Sequence, residues 1–200
     1  TPPSRGPAFG RPLTSNVRLH VLYPTQTIAA LLLVASACSV QADWISKSGE
    51  RLPDAENRKS VGDFGAQLIL VQDEQQMIKV WGTPGETVNV KTIESVAVGG
   101  QANAFVVFSG CTANKSGQCD VTMQFNVYQP NGKVYARTPP MEVWQQKAAP
   151  PARMLELSVQ YLKVVIEPQD LLGKYIVSAI VKDNVSGRSL QLSSAFTATK

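Results

Sequence analysis

Short runs of β-branched and aromatic residues, separated by turn residues, recur along most of the chain. A buried strand is predicted over 64–71, and two apolar runs, 102–111 and 119–128, flank the turn-rich stretch ANKSG and predict the arms of a hairpin. Roughly seven to nine such strands, with at most one helix, favour a two-layered antiparallel sandwich. The sequence therefore predicts an all-β domain over 64–200.

One segment departs from the strand pattern. Asp73 is followed three positions later by Gln76, which is the spacing of a helix capping box. Met77, Ile78 and Trp81 then fall on one helical face. This pattern predicts a short helix over 73–81.

The last third of the chain contains a linker and a terminal hairpin. The proline pair in 145–153 is incompatible with a helix or a central strand, so this stretch is predicted to cross between sheets. Between 155 and 166 the apolar residues occupy odd-numbered positions at first and even-numbered positions afterwards. This shift by one position predicts a bulge or a bend. The segments on either side of the turn NVSG predict the closing hairpin.

The N-terminal region has the pattern of a secretory signal peptide, with Arg18 before an apolar run and small residues at its end. We assign 17–42 to the signal peptide, 1–16 to upstream non-native sequence and 43–63 to a flexible arm. The first methionine is Met77, so a start at Val17 on a GTG codon of a bacterial gene is the working hypothesis.

Two alternatives exist for this leader. The apolar run of about 16 residues is shorter than the ~20 that span a bilayer, which disfavours a stable membrane span. A lipoprotein anchored through Cys38 is less favoured, because the usual leucine three positions earlier is missing. The expected location is periplasmic or extracellular.

The charge distribution argues against nucleic acid as a partner. The formal charge of +4 comes from 19 basic and 15 acidic residues, and three arginines lie before residue 43, where no acidic residue occurs. The body of the protein is therefore nearly neutral, without the basic footprint of a polyanion-binding protein.

In an exported chain, Cys111 and Cys119 are the two cysteines that follow the leader, and an even pair in an oxidising compartment predicts a disulfide. A regulated or intermolecular thiol is the alternative. A zinc site needs about four ligands, and the single histidine, His20, lies in the leader. We expect no metal and no cofactor.

Enzymatic activity is not expected. Without a histidine after His20, the chain cannot form a Ser-His-Asp or Cys-His arrangement. The stretch GTPGE lacks the lysine and the helix of a phosphate-binding loop. Carboxylates are scattered on predicted strand ends and turns, where a solvated surface explains them.

The stretch LKVVIEPQDLLGKYIVSA resembles the E–F corner of immunoglobulin-like domains, with Asp170, Gly173 and Tyr175 at the motif positions. The resemblance implies that Tyr175 packs across the corner and that its hydroxyl bonds to upstream backbone. Val177 stands where antibody-type domains carry a core cysteine. The chain is similar to the exported immunoglobulin-like or fibronectin-type modules of bacterial surfaces and periplasm, which predicts an antiparallel immunoglobulin-like β-sandwich.

These features predict an exported, non-catalytic protein-binding module, such as an envelope assembly factor or an inhibitor. Its partner would be another envelope or secreted protein. The alternative is a carbohydrate-binding or adhesin-type surface module that recognises polysaccharide. Trp144, Trp81 and Tyr161 are the candidate binding surface, although packing in the core is the more favoured interpretation for each of them. We expect Trp144→Ala to lower affinity and to leave the melting temperature nearly unchanged.

Overall fold

The structure, a computed structural model, describes residues 44–45, 48, 50–83 and 90–200. The proposed upstream segment 1–16 and signal peptide 17–42, which includes Cys38, lie outside the described residues. Among the residues that are described, no helix combines the length and the apolarity needed to span a bilayer.

The described chain is mostly β-strand with one short helix, which confirms the all-β prediction. The elements in chain order are β1 (Trp44–Ile45), β2 (Arg51–Leu52), β3 (Arg58–Val61), β4 (Phe64–Val71), α1 (Glu74–Trp81), β5 (Ser95–Ala97), β6 (Gln101–Ser109), β7 (Gln118–Tyr128), β8 (Val134–Arg137), β9 (Met141–Ala148), β10 (Glu156–Leu157), β11 (Leu162–Val165), β12 (Gly173–Asp183) and β13 (Ser189–Thr199).

Two sheets carry most of these strands. The five-stranded sheet has the order β10-β6-β4-β3, and β11 lies beside β10 on the same edge of β6. The six-stranded sheet has the order β5-β13-β12-β7-β8, and β9 continues the edge that β8 occupies on β7. All pairings are antiparallel except that of β5 with β13. Strands β1 and β2 pair only with each other in the described part of the chain.

The main core fills the space between the two sheets. Strands β7 and β12 alternate between buried and more exposed positions, as strands with one solvated face do. Their inward side chains meet those of β4 and β6 in one apolar cluster, whose largest members are Tyr175, Phe64, Phe108, Phe125, Phe196 and Leu68.

Strand β6 is buried on both faces, which explains its continuous apolar run. Val106 and Phe108 point into the main core, whereas Phe105 and Val107 form a second cluster with Val71 and Met77. Since Met77 belongs to α1, the helix lies over the outer face of the five-stranded sheet. The fold therefore has a partial third layer.

The predicted helix is confirmed, including its cap. The Asp73 carboxylate accepts a hydrogen bond from the backbone N–H of Gln76 at 2.9 Å. At the other end, the N–H of Gly82 donates to the carbonyl of Ile78 at 3.0 Å. Met77 faces the sheet, whereas Ile78 is 46% exposed, so the buried face of the helix is narrower than its sequence suggests.

The predicted hairpin of 102–111 and 119–128 is wrong, although the disulfide between Cys111 and Cys119 is present. Strand β6 pairs with β4 on one edge and with β10 and β11 on the other, so no edge is free for β7. The stretch between the cysteines therefore crosses from one sheet to the other. Gly110 begins this crossing with φ +67°, and a Cβ there would lie 1.8 Å from the Asp63 carbonyl oxygen.

Two predicted boundaries also change. Part of the proposed arm 43–63 belongs to the sandwich. Strand β3 pairs with β4 in the five-stranded sheet, and the Glu56 carbonyl accepts a hydrogen bond from the N–H of Ser193 in β13 at 2.8 Å. Trp44 is only 8% exposed. The linker begins later than predicted, because β9 continues to Ala148. A bulge interrupts the pairing of β9 with β7 between Gln145 and Lys147. The closing hairpin of β12 and β13 is confirmed.

Candidate functional site

The three aromatic residues singled out from the sequence are partly buried. Tyr161 stacks on Phe105 with ring centroids 4.5 Å apart, and Trp81 packs against the same outer cluster. Packing therefore accounts for the buried part of both side chains.

Trp144 also packs against the protein. Its ring lies 5.9 Å from that of Phe108, and its Nε1 donates to the carbonyl of Ala148 at 3.0 Å. The ammonium of Lys147 lies 4.9 Å from the ring centroid. These contacts conflict with the expectation that Trp144→Ala leaves the melting temperature unchanged, because the substitution would remove core packing.

The corner motif is assembled differently from the expectation. Tyr175 is fully buried and stacks on Phe196, so its packing role is as expected. However, its hydroxyl has no hydrogen-bond partner of ordinary geometry in the described chain. The hydroxyl of Tyr135 instead donates to Asp170 Oδ2 at 2.8 Å and approaches the Val165 carbonyl at 3.2 Å. Tyr135, which pattern reasoning missed, therefore makes the corner hydrogen bonds.

Burial and the Asp170 carboxylate act on both corner tyrosines. Burial, followed by the hydrogen bond to Asp170, raises the pKa of Tyr135 to about 12. Burial, followed by the charge of Asp170, also raises the pKa of Tyr175, and the nearby backbone of Leu171 opposes this weakly. The same carboxylate accepts from the N–H of Glu167 at 2.7 Å, so it holds the turn before β12. This cluster stabilises the corner.

The outer face of the six-stranded sheet carries an apolar row that crosses four strands. The register places Val134 of β8 opposite Tyr128 of β7, Tyr128 opposite Ile176 of β12, and Ile176 opposite Ala195 of β13. Directly paired residues of antiparallel strands share a face. Val134 is 49% exposed and Ile176 is 38% exposed, so the row is open to solvent.

A further exposed isoleucine lies beyond this row on the central strand, separated from it by the polar side chains of Ser178, Asn126 and Ser193. Ile180 lies four positions after Ile176, on the same face of β12, and is 39% exposed. We define the outer patch as Tyr128, Val134, Ile176, Ile180 and Ala195. Amides flank it, since Gln124 and Gln191 both lie opposite Ile180.

Basic side chains border the outer patch. Lys174 and Lys182 are exposed on β12, two positions outside Ile176 and Ile180, and neither makes an ion pair with a described residue. Arg137 donates to Asn126 Oδ1 at 2.7 Å. The border therefore places a positive charge beside each of the two isoleucines.

The carboxylates near this border already have partners. Amide nitrogens of Gln145 and Asn184 donate to Asp120 Oδ1, both at 3.1 Å. Glu142 lies 4.0 Å from Lys147. The amide donors leave the charge of Asp120 in place, so this face carries acidic as well as basic groups, with Lys174 and Lys182 nearest the two isoleucines.

The patch could have been found in the sequence. In GKYIVSAIVKD the buried positions Tyr175, Val177, Ala179 and Val181 alternate with the solvent-side positions. That solvent-side set contains Ile176 and Ile180 between two lysines, where a one-sided sheet normally has polar residues. The sequence signal was therefore a pair of isoleucines at solvent-side positions of the strand, and it was not an exposed tryptophan.

The described residues show no grouping of three or more His, Cys, Asp or Glu side chains that could hold a metal ion. The outer patch combines exposed aliphatic side chains with polar neighbours, an arrangement that is common at protein interfaces.

Comparisons with known proteins give little guidance. No family model matches the chain, and no curated protein matches its sequence. A family 123 glycoside hydrolase from Clostridium perfringens has a TM-score of 0.41 and 12% identity over 69% of this chain and 27% of its own. The alkylpurine DNA glycosylase AlkC of Pseudomonas fluorescens has a TM-score of 0.37 and 11% identity over 69% and 31%.

A CARDB domain from Pyrococcus furiosus, solved in complex with di-metal ions, has a TM-score of 0.33 and 14% identity over 67% of this chain and 89% of its own. The chain thus spans about a third or less of the length of the two enzymes. At such low similarity, none of these structures assigns a fold family or an activity to this protein.

Proposed function

We propose that the protein is an exported, non-catalytic immunoglobulin-like module that binds another protein through the outer patch. The observation that carries this proposal is the solvent-exposed apolar row from Val134 to Ala195 on the six-stranded sheet. Exposed apolar clusters with a polar border mark interaction sites on folded proteins.

The strand order supports the immunoglobulin-like part of the proposal. Strands β4, β6 and β11 have the sequential and spatial order of strands A, B and E. Strands β7, β12 and β13 have those of C, F and G, and β8 and β9 occupy the additional position beside C. In this assignment the disulfide closes the B–C connection.

The disulfide supports export, because such bonds persist in oxidising compartments and are rare in the cytosol. The leader pattern agrees with this inference from an independent part of the chain.

A protein partner fits the chemistry of the patch better than a polysaccharide does. Sugar-binding sites commonly present open aromatic rings, whereas Trp81, Trp144 and Tyr161 pack against the protein. The aliphatic centre of the patch suits an apolar contact surface, and Lys174 and Lys182 suit an acidic border on the partner.

The proposal is tested by binding to periplasmic or secreted proteins of the host, with site-specific photo-crosslinking as the readout. A photoreactive residue in place of Gln191, beside the patch, should give a defined crosslinked product. The same residue in place of Gln75 on α1, on the other side of the molecule, should not.

A charge substitution provides the matched control. Ile176→Asp with Ile180→Asp should lower crosslinking at position 191 at least tenfold, because carboxylates would face an acidic partner. Val165→Asp should leave it unchanged, since Val165 is a similarly exposed β-branched residue on the other sheet. Unchanged crosslinking in the double variant would contradict the proposal. Retention on a polysaccharide column that the double variant loses would favour the carbohydrate-binding alternative.

A further inference from the structure

A cavity of about 590 Å³ lies beside α1, over the five-stranded sheet and away from the outer patch. Its walls come from the end of β4, from α1, from the segment 90–93 and from the start of β6. The volume falls within the range of about 300–1,000 Å³ that is usual for small-ligand sites. Nothing in the proposed protein-binding role uses this cavity.

The apolar wall of the cavity is aliphatic. Its apolar members among the described residues are Val71, Met77, Val80, Val90 and Ile93. Met77 is 2% exposed and Val71 is 3% exposed, so the wall is part of the packed outer cluster. Because Met77 and Val71 are almost fully covered, the aliphatic surface that a ligand can reach comes from the partly exposed Val80, Val90 and Ile93.

Three charged residues also line the cavity: Asp73, Glu74 and Lys91. Asp73 uses one carboxylate oxygen, Oδ1, to cap α1, which leaves Oδ2 for another donor. Lys91 is exposed, and neither residue forms an ion pair within the described chain. The cavity therefore offers a carboxylate and an ammonium group that a ligand could engage.

The neighbouring carboxylate of Glu74 is already engaged. Its Oε1 accepts from Lys163 Nζ at 2.8 Å, and its Oε2 accepts from Gln101 Nε2 at 2.7 Å and from Asn103 Nδ2 at 3.2 Å. The hydrogen bond from Lys163 is the main reason why the pKa of Glu74 lies below its ordinary value. Glu74 therefore fixes the first turn of α1 to β6 and β11, while Asp73 and Lys91 are left to determine ligand charge.

We infer that this cavity binds an aliphatic zwitterion, that is, an amino acid or short peptide with a free ammonium and a free carboxylate. Asp73 pairs with the ammonium and Lys91 with the carboxylate, while the aliphatic side chains of the ligand contact Val80, Val90 and Ile93. The side-chain amides of Gln72 and Gln76 line the polar side and can bond to peptide groups, whereas the Nε2 of Gln101 is already bonded to Glu74.

Isothermal titration of the purified protein tests this inference, with leucine and tri-leucine as the probes. Tri-leucine with both termini free should bind at least tenfold more tightly than its N-acetylated or C-amidated form. Leucine binding would indicate an amino acid ligand, whereas selective tri-leucine binding would indicate a peptide. An absence of binding by both probes at millimolar concentration would overturn the inference.

Two variants assign the charges without disturbing the helix. Asp73→Asn keeps a good N-cap, because asparagine caps about as well as aspartate, but removes the negative charge. It should weaken the free peptide about tenfold and leave the N-acetylated peptide unaffected. Lys91→Gln should behave in the same way towards the C-amidated peptide.

Equal binding by the wild type and both charge variants would contradict the assigned roles. Far-ultraviolet circular dichroism and a melting curve check that each variant is folded. The Ile176→Asp and Ile180→Asp variant should bind tri-leucine as the wild type does, so failure of the protein-binding proposal and failure of this inference are separate results.

Discussion

In the corner before β12, two tyrosines share the role that a single tyrosine has in the corner motif that the sequence resembles. Tyr175 supplies a buried ring, which stacks on Phe196 and meets Tyr135 edge-on with centroids 5.6 Å apart. Tyr135 supplies the hydrogen bonds to Asp170 and Val165. The sequence identified Asp170 and Tyr175 by their spacing, but Tyr135 lies 35 positions before Asp170, so no local pattern connects them.

These contacts predict different outcomes for the same substitution at the two tyrosines. Tyr135→Phe should lower the free energy of unfolding by about 1–2 kcal/mol, because the Asp170 carboxylate loses a donor. Tyr175→Phe should change it by less than about 0.5 kcal/mol, since its hydroxyl makes no hydrogen bond of ordinary geometry and would lose only a weak contact with the Leu171 backbone. Urea denaturation of the two variants measures both values. A larger loss for Tyr175→Phe would show that the hydrogen-bond assignment is wrong.

The raised pKa of Tyr135 makes the free energy of unfolding depend on pH. A group whose folded-state pKa is raised contributes stability below its unfolded-state pKa, here about 10, and this contribution is lost as the pH rises through about 12. Tyr135→Phe should therefore differ most from the wild type below pH 10.

At the scale of elements, Asp183 joins the β12–β13 turn to the crossing between the sheets. No part of Asp183 is exposed, and its carboxylate accepts from the N–H of Thr112 at 3.0 Å. It also accepts from Ser186 Oγ at 2.6 Å and from the N–H of Val185 at 3.0 Å. Burial alone would raise the pKa of Asp183, but the hydrogen bonds from Ser186 and Thr112 outweigh it and lower the pKa.

Asp183→Asn should therefore destabilise the protein in a pH-dependent manner. We expect a loss of about 1–3 kcal/mol at pH 7, because an amide cannot accept all of these bonds and brings a donor against backbone N–H groups. With a lowered pKa, the contribution of the carboxylate is present above about pH 4 and is lost as the pH falls through the folded-state pKa. Urea midpoints at pH 7 and pH 3 should show the difference narrowing. A constant difference would contradict the role of the ionised form.

Most elements were predictable from local patterns, and the failures have specific causes. The helix was readable because Asp73 and Gln76 specify its start within one turn. The pairing of β6 could not be predicted, because a strand that is buried on both faces has a continuous apolar sequence, which does not indicate the strands it pairs with. The hairpin interpretation followed from sequence proximity, whereas β6 had both edges occupied by distant strands.

At the scale of the whole molecule, the disulfide closes the connection between the two sheets. Cys119 lies in the core at 1% exposure, and Cys111 is partly buried beside the same core. The bond therefore restrains the point at which the chain leaves one layer and enters the other.

Loss of this bond should lower the free energy of unfolding by about 2–3 kcal/mol, as chain entropy implies for a closed loop of this length. The variant Cys111→Ser with Cys119→Ala measures this in urea, and the wild type in dithiothreitol provides the matched comparison. The variant should show no further loss under reduction. If the wild type were equally stable in oxidising and reducing buffer, the bond would not stabilise the fold.

The sequence by itself determined the strand content, the capped helix and the disulfide, because each depends on residues that lie close together along the chain. Tertiary structure alone decided the sheet that each strand joins, the corner role of Tyr135, the burial of the tryptophans and the row from Val134 to Ala195. These features depend on strands that meet across long sequence separations, where register and free edges select the partner and no local pattern records the choice.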